Sequence, residues 1–499
     1  VKIRIDPIDQ KYHYEIEHIV KLFFDEPYVY FQELAEEQEK ETLSIRFHLD
    51  VKGEEIEVNA QLWDGQGNVY QEFVIRDQNE SKRAVNIALL KVLTAYTGVE
   101  QPWGTLTGVR PVKLVHNLRM EGMGYESIRE ELRSNYFISD GKIEIMERIV
   151  KKQLEVVPDL YDLEREMSIY IGIPFCPTKC AYCTFPAYSI QGKQGSVDAF
   201  LTGLHEEIKQ IGEWLCKQNI GITSIYFGGG TPTSITAEEM DTIFHTIAQS
   251  FPQRGMSREL TVEAGRPDTI TPEKIEVMKR WKVDRISINP QSFTQETLQA
   301  IGRHHTVDEV LEKYHLARDM GMNNINMDLI IGLPGEGMEQ YLHSLRMIKD
   351  LRPESLTVHT LSFKTASTMT KNREKYQVAG REEVTEMIKV TERWTAEEGY
   401  HPYYLYRQKN ILGNQENVGY ALPGRESIYN IMIMEEKQTI LGLGCGAASK
   451  IISPRTRKIT RYANPKEPKV YNEHYQEYIE RKLQILDEEY GEDRVALGF

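Results

Sequence analysis

Three of the chain's five cysteines, Cys176, Cys180 and Cys183, fall within IGIPFCPTKCAYCTF at residues 171–185. The spacing is C-x3-C-x2-C, in a loop carrying Pro174 and Pro177 directly after an apolar run. Thiolates are soft ligands, suited to zinc or to iron–sulfur clusters. A zinc site asks for a fourth Cys or His at zinc-type spacing, and none is evident nearby. On a cubane 4Fe–4S cluster, three thiolates leave one iron without a protein ligand, open to a substrate or cosubstrate. Three unrelated buried thiols are the bland alternative, since free cysteine is a common core residue. Cys216 and Cys445 stand alone in apolar settings, where core packing is expected of both.

Other residues able to do chemistry stand at the ends of short apolar runs. GGGTPT at residues 228–233 offers bare backbone to a ligand, although glycine-rich turns alone are a weak signal. Glu263 closes ELTVE, where a capping or salt-bridge role is the alternative to ligand contact. Gln291 lies in INPQSF, and a buried amide there needs partners. Arg303, in IGRHHT, suits a carboxylate through paired donors, or else forms a surface ion pair. Asp328 sits inside the apolar run NMDLIIGLPGE, where an unpaired charge is costly, so a ligand or partner is implied. Arg407 and Lys409, among the tyrosines of YYLYRQKN, offer a surface for carboxylates or are simply solvated.

The elements that must position these residues follow a rhythm. SIYIGIPF, TSIYF, ELTVE, DRISINP, NINMDLIIGLP and SLTVHT are six strand candidates, separated by helical stretches such as VDAFLTGLHEEIKQIGEWLCKQ and AEEMDTIFHTIAQSF. Strand–helix alternation implies a parallel sheet with right-handed crossovers, here an open, partial barrel of six βα units over residues 161–365. In such folds the chemistry sits at the C-terminal ends of the strands, where these residues fall.

Residues 1–160 read as a separate α+β unit. Leu43, Ile45, Phe47, Leu49 and Val51 alternate as on a half-buried strand, and Ile56, Val58, Ala60 and Leu62 continue the period. DGQGN gives a hairpin turn before NVYQEFVI, and SKRAVNIALLKVLTAYTG reads as a helix ended by Gly98. WGTLTGVRPVK follows, then further helices to about residue 157. The acidic run at residues 33–41 is expected to be a solvated face. Residues 366–499 read as a C-terminal α+β extension over the active site, with PYYLYR, SIYNIMIM and TILGLGCGAAS as strands.

At 499 residues, 40% hydrophobic and 27% charged, the chain has the composition of a soluble globular protein with two to four domains. A net charge of −15 argues against nucleic acid or an anionic membrane as partner. No apolar run is long enough to span a membrane, and the first residues hold no signal-peptide core. The chain begins with Val, which suggests an alternative start codon or a trimmed end. Clustered, odd-numbered cysteines point to a reducing cytoplasm and to metal binding.

With Tyr182 before the last cysteine, the motif resembles that of radical S-adenosylmethionine (SAM) enzymes. YIGIPFCPTKCAYCTF with YFGGGTPT resembles the oxygen-independent coproporphyrinogen III oxidases, and WGTLTGVRP, VEAGRPDTIT, DLIIGLPGE and YRQKNILGN look like their HemZ branch. The resemblance implies a 4Fe–4S cluster on Cys176, Cys180 and Cys183. It further implies a SAM site including Tyr170, Tyr182, Gly229, Gly230, Thr231, Glu263, Gln291, Arg303 and Asp328, with LGLGCGAAS closing over the cosubstrate. No catalytic residue beyond these is implied.

The implied reaction is reductive cleavage of SAM, hydrogen abstraction from a propionate β-carbon, and loss of CO2 with one electron to leave a vinyl group. Coproporphyrinogen III is the implied substrate, and flavodoxin or ferredoxin the kind of electron donor. Two features depart from the siblings. Phe185 stands where the oxidase carries a further Cys, an aromatic shared with the haem-chaperone branch. That branch's HNxxYW haem motif is absent, with SIYNIM in its region. A haem carrier that binds cluster and SAM without oxidase activity is therefore the second expectation, and another radical SAM reaction on a tetrapyrrole, such as methyl transfer, the third.

Overall fold

The structure, a computed structural model, describes residues 1–499 except 25, 34–41, 191–194, 252–256, 365 and 492–499. The acidic run at 33–41 therefore lies, apart from Glu33, outside the described residues. The chain forms two compact units, Val1–Arg148 and Ile149–Phe499.

The first unit is built on a five-stranded sheet in the order β2-β1-β3-β4-β5. Its strands are β1 (Lys2–Ile5), β2 (Tyr28–Phe31), β3 (Thr42–Lys52), β4 (Glu55–Trp63) and β5 (Val69–Asp77). Asp64 makes the β4–β5 turn, its Oδ1 accepting from the backbone N–H of Gln66 and Asn68. Helices α1 (His13–Phe23) and α2 (Ser81–Thr97) bury Ile16, Ile19, Ala84 and Ile87 against Ile45, Val58, Ala60 and Leu62. Gly98 ends α2 at φ 69°, a left-handed cap that glycine adopts without strain. The expected alternation on β3 holds at Leu43 and Ile45 and fades along the strand, leaving Val51 exposed. Helices α3 (Pro111–Met120) and α4 (Tyr125–Tyr136) complete this unit, and α5 (Asp140–Val156) runs across the division at residue 148. Residues just beyond α5, expected in the first unit, instead pack in the second: Val157 and Leu160 lie in a core with Tyr403 and Tyr429.

In the second unit the six strand candidates pair in parallel and in chain order. They are β6 (Glu166–Ile173), β7 (Gly221–Gly229), β8 (Glu259–Val262), β9 (Arg285–Ser287), β10 (Ile325–Ile331) and β11 (Ser355–Thr360). The crossovers carry α6 (Val197–Gln218), α7 (Ala237–Ser250), α8 (Pro272–Arg280), α9 (Gln295–Ala300), α10 (Val307–Asp319) and α11 (Met338–Leu351). Strands such as β8 are buried at every position, as expected where helices cover one face and side chains fill the other.

Residues 366–499 lengthen this same sheet at both edges. After α12 (Thr368–Lys371) and α13 (Arg381–Glu397), β12 (His401–Tyr406) and β13 (Asn417–Ala421) add antiparallel strands beyond β11. After α14 (Ile428–Glu435), β14 (Ile440–Gly444) lies parallel to β6, followed by β15 (Ala448–Ile452), β16 (Ile459–Ala463) and α15 (Pro468–Tyr490). The result is an α/β fold with a partial barrel at its centre.

Two expectations are corrected here. SIYNIMIM is not a strand but α14. Ser427 caps it by accepting from Asn430 N–H, while the Glu259 carboxylate accepts from the N–H groups of Ile428 and Tyr429. A cap and an anion at the N-terminus, with burial along the helix, outweigh the β-propensity of its isoleucines. Cys216 does not pack in the core. It lies on the outward side of α6, exposed, while its neighbour Leu215 is buried.

Candidate active site

The cysteine loop leaves β6 through Pro174 and is held by backbone pairing on both sides. Tyr188 N–H donates to Pro174 O (2.8 Å) and Cys176 N–H to Tyr188 O (3.0 Å). Opposite, the glycine segment after β7 closes in: Gly230 N–H donates to Ile173 O and Thr231 N–H to Phe175 O, each at 2.7 Å. This approach needs bare backbone. A Cβ on Gly230 would stand 2.6 Å from Phe175 O, and Gly229 takes φ 110°. Thr231 Oγ1 then lies 3.1 Å from Cys176 Sγ. Ala181 N–H bonds to Ile301 O, and Met369 N–H to Ala181 O, so the loop is clamped to the ends of α9 and the segment after β11.

Cys176 and Cys180 are buried and Cys183 is half-buried. Burial pushes the Cys176 thiol up to about 11 and raises that of Cys183, so a metal held by them would itself have to stabilise the thiolates. Among the described residues, no group of three His, Cys, Asp or Glu is arranged to hold one metal ion. A cubane asks for no such arrangement, because each thiolate takes a different iron.

Behind the loop, the strand ends converge. Glu263 directly follows β8, its N–H bonded to Phe227 O. Burial, with the Asp328 carboxylate nearby, pushes its carboxyl up to about 8, although a Tyr226 hydrogen bond and the Arg303 guanidinium pull the other way. A Cβ on Gly228 would meet Glu263 Oε2, Tyr170 and Tyr226, each at 2.9 Å, so this glycine too is required by close approach. Tyr170 stacks on Tyr226 and on Tyr429 of α14 with ring centroids 6.2 Å apart, and Tyr226 on Tyr429 at 4.4 Å. Gln291, four residues beyond β9, takes φ 66° and bridges β10: its N–H donates to Asp328 O, and its carbonyl accepts from Ile330 N–H. Arg303 is buried, with Nη1 2.6 Å from Asn289 O and further contact to Cys180 and Tyr182.

Asp328 has the partner its position demanded. His359 Nε2 lies 3.4 Å away and Asn326 Nδ2 donates at 2.7 Å; burial opposes ionisation, yet these contacts hold the carboxyl below its ordinary range. The structure thus brings Tyr170, Gly229, Gly230, Thr231, Glu263, Gln291, Arg303 and Asp328 to one end of the sheet with the three cysteines, and Tyr182 packs beside them against Leu298 and Ile301.

Arg407 and Lys409 do not form the exposed basic surface expected of them. Arg407 is buried, donates to Asn414 Oδ1, and is pushed down to about 10 by burial; Lys409 alone is exposed. Arg407 leaves β12 on an inward-facing position, which the loop-like composition of YRQKN concealed. Sequence reasoning also missed Tyr226, Asn289, His359 and Tyr429. The first three have a findable signal, since each lies within or just past a β-strand of the parallel series, whereas Tyr429 comes from a segment misread as a strand.

Residues 170–348 match the Radical SAM superfamily. The chain is 55% identical over 497 residues to the oxygen-independent coproporphyrinogen-III oxidase-like protein HemZ of Bacillus subtilis (strain 168), covering 98% of each protein. The chain belongs to the radical SAM superfamily, among the HemZ-like proteins. The haem chaperone HemW of Bacillus subtilis (strain 168) is 31% identical over 291 residues, which is 58% of this chain and 72% of HemW. Coproporphyrinogen III oxidase HemN of Escherichia coli, a radical SAM enzyme, shares the fold with a TM-score of 0.52 and 20% identity, over 65% of this chain and 72% of HemN.

The cofactors of this family are a 4Fe–4S cluster and SAM. The site fits both. Next to Arg303 and Asp328 lie buried polar atoms that no described residue satisfies, Asn289 Oδ1 and Gln291 Oε1. Such atoms are costly unless a ligand pairs with them. The glycines at 228–230 let the cysteine loop, Glu263 and the tyrosines close together around that place, and Glu263 and Arg303 match the amino and carboxylate groups of an amino-acid moiety. Among the described residues no helix is long and apolar enough to cross a membrane.

Proposed function

We propose that this protein is an oxygen-independent coproporphyrinogen III oxidase-type enzyme, converting propionate side chains to vinyl groups by oxidative decarboxylation. The observation that carries the reading is that three cysteines, the glycine segment and the orphaned Asn289 and Gln291 follow the ends of neighbouring parallel strands, in a chain alike along its length to an oxidase-like protein. Bound together, the cluster and SAM supply a one-electron route to hydrogen abstraction from unactivated carbon. Cys176, Cys180 and Cys183 would hold the cluster. Glu263 takes the amino group of SAM, whose positive charge restores the carboxylate that burial disfavours. Arg303 takes the carboxylate of SAM. Tyr170, Tyr226 and Tyr429 floor the barrel interior and exclude water from the reacting carbon.

The partners on this reading are a tetrapyrrole, a one-electron donor of the flavodoxin or ferredoxin kind, and a one-electron acceptor for the electron released with CO2, in a reducing cytoplasm. A second reading, a haem carrier, is favoured by the likeness to HemW over 72% of that protein. The test is anaerobic incubation of reconstituted protein with SAM, dithionite and coproporphyrinogen III, followed by mass spectrometry of the porphyrin. Loss of one or two CO2 units, abolished in C176A, C180A and C183A, is expected. Intact porphyrin from protein that still cleaves SAM overturns the oxidase reading, and stoichiometric haem binding by the same sample then supports the second.

A further inference from the structure

Arg266 lies in VEAGRPD, three residues past Glu263, and has no part in the site described so far. It is 3% exposed. Its backbone is pinned where the chain turns after β8, since Arg266 O accepts from Thr269 N–H (3.1 Å) and Thr269 Oγ1 (2.7 Å). That turn is tied in turn to the glycine segment, as Lys274 Nζ bridges Thr233 O (2.6 Å) and Thr269 O (3.0 Å). The guanidinium therefore has a fixed origin. One edge forks onto Asp268, with Nε to Oδ1 at 2.9 Å and Nη2 to Oδ2 at 2.7 Å. The remaining nitrogen, Nη1, donates to Thr178 Oγ1 at 2.9 Å and lies 4.0 Å from Cys180 Sγ.

A planar cation locked on one side by a carboxylate and aimed on the other at a cysteine sulfur is a partner to that sulfur rather than a surface ion pair. Thr231, by contrast, brings only a neutral hydroxyl to Cys176. The potential of an iron–sulfur cluster follows net charge, hydrogen bonds to its sulfurs and exposure to solvent. Adding an electron makes the cluster more negative, so a fixed positive charge beside one thiolate favours the reduced form.

We propose that Arg266, locked by Asp268, sets the reduction potential of the cluster by acting on Cys180. It is a positioning residue that touches neither SAM nor substrate. In the reduction it serves, one electron passes from the donor, which is oxidised, to the cluster; Arg266 stays protonated throughout and no proton is exchanged. The proposal rests on Cys180 carrying an iron, and on no assignment of the substrate.

The experiment is an anaerobic redox titration of reconstituted full-length protein with dithionite, read by electron paramagnetic resonance and by bleaching of the visible absorption. Iron and sulfide are assayed on the same samples. R266M is expected to shift the midpoint to lower potential, and R266K to shift it less in the same direction. D268N removes the anion that offsets the guanidinium and is expected to shift the midpoint upward. Opposite signs from the two ends of one ion pair separate a charge effect from loosened packing, which would move both variants the same way. If R266M fails to take up iron, R266K and D268N carry the test. A wild-type midpoint in iron-loaded R266M, or a downward shift in D268N, overturns the proposal. Wild-type protein that takes up no iron overturns the cysteine assignment and this proposal together, whereas inactivity toward coproporphyrinogen III leaves the titration standing.

Discussion

Two buried glutamates in the second unit contrast a charge that the fold answers with one that it leaves for the ligand role proposed for Glu263. Glu207, on α6, is fully buried and completely answered. It accepts from Gly444 N–H and Tyr471 OH, each at 2.7 Å, from Asn464 Nδ2 at 2.9 Å, and from the buried Lys482 ammonium. Lys482 also donates to Gly442 O, so the network fastens α15 and the glycine-rich β14 to α6. Glu263 has Tyr226 and a distant share of Arg303 on one side and the repulsion of Asp328 on the other. A glutamate that the fold neutralises within itself holds the fold together. One that burial drives toward the neutral form, near the orphaned Asn289, suits the charged ligand proposed for it.

The largest effect should come from breaking the answered pair. Lys482→Met leaves Glu207 buried without its cation and is expected to cost about 3–5 kcal/mol, read as a fall in the denaturation midpoint. Replacing both partners, as in Glu207→Leu with Lys482→Met, should recover part of that loss, because two apolar groups leave no charge stranded. A double variant as unstable as the single one would show that the network matters through its other hydrogen bonds.

Glu263→Gln should behave in the opposite way. Stability at neutral pH is expected to hold or rise, while SAM binding weakens tenfold to a hundredfold through loss of a charge-assisted hydrogen bond worth about 1.5–3 kcal/mol. The pH dependence carries the same contrast. A carboxyl raised from 4.5 to about 8 keeps its proton in the folded chain where the unfolded chain has released it. The stability of the chain without SAM therefore falls as pH rises from about 4.5 to 8, by roughly 1.4 kcal/mol per pH unit at most. Unfolding curves of wild type and Glu263→Gln across that range should diverge in slope, and identical slopes would sink the raised carboxyl.

A smaller effect is expected where the site touches the fold only once. Thr231→Val keeps the backbone bond to Phe175 O but removes the hydroxyl from Cys176, at a cost of about 1 kcal/mol seen as a modest drop in Tm.

Much of this was legible in the sequence because strand periodicity and motif spacing are local. The six strand candidates, with the cysteine loop and the glycine segment after two of them, place their chemistry at the C-terminal ends of the strands without any knowledge of contacts. What stayed hidden depends on distant partners. Glu259, far earlier in the chain, caps SIYNIMIM and makes it a helix. Asn414 and burial turn Arg407 inward. Arg266 reads as one more polar residue in a turn until the cysteine loop is laid beside it. The N-terminal unit shows the other limit: its strands were readable from alternation, yet periodicity says nothing of what such a sheet is for.

Phe185 provides the finest comparison, because the resemblance to the oxidases puts it where they carry a further cysteine. Its ring is 56% exposed, with the Lys364 ammonium 5.9 Å from its centroid. Phe185→Ala is expected to change stability by no more than about 0.5 kcal/mol, since an exposed ring leaves no cavity and an exposed cation–π contact is weak. Iron content should also stay at the wild-type level, because the three cluster cysteines are positioned by backbone bonds that do not involve this side chain. Any larger loss in Phe185→Ala must then appear in turnover or tetrapyrrole binding, measured by porphyrin mass spectrometry and absorption titration. Unchanged values in both would make Phe185 a bystander and remove its departure from the oxidase pattern as an argument for the haem-carrier reading.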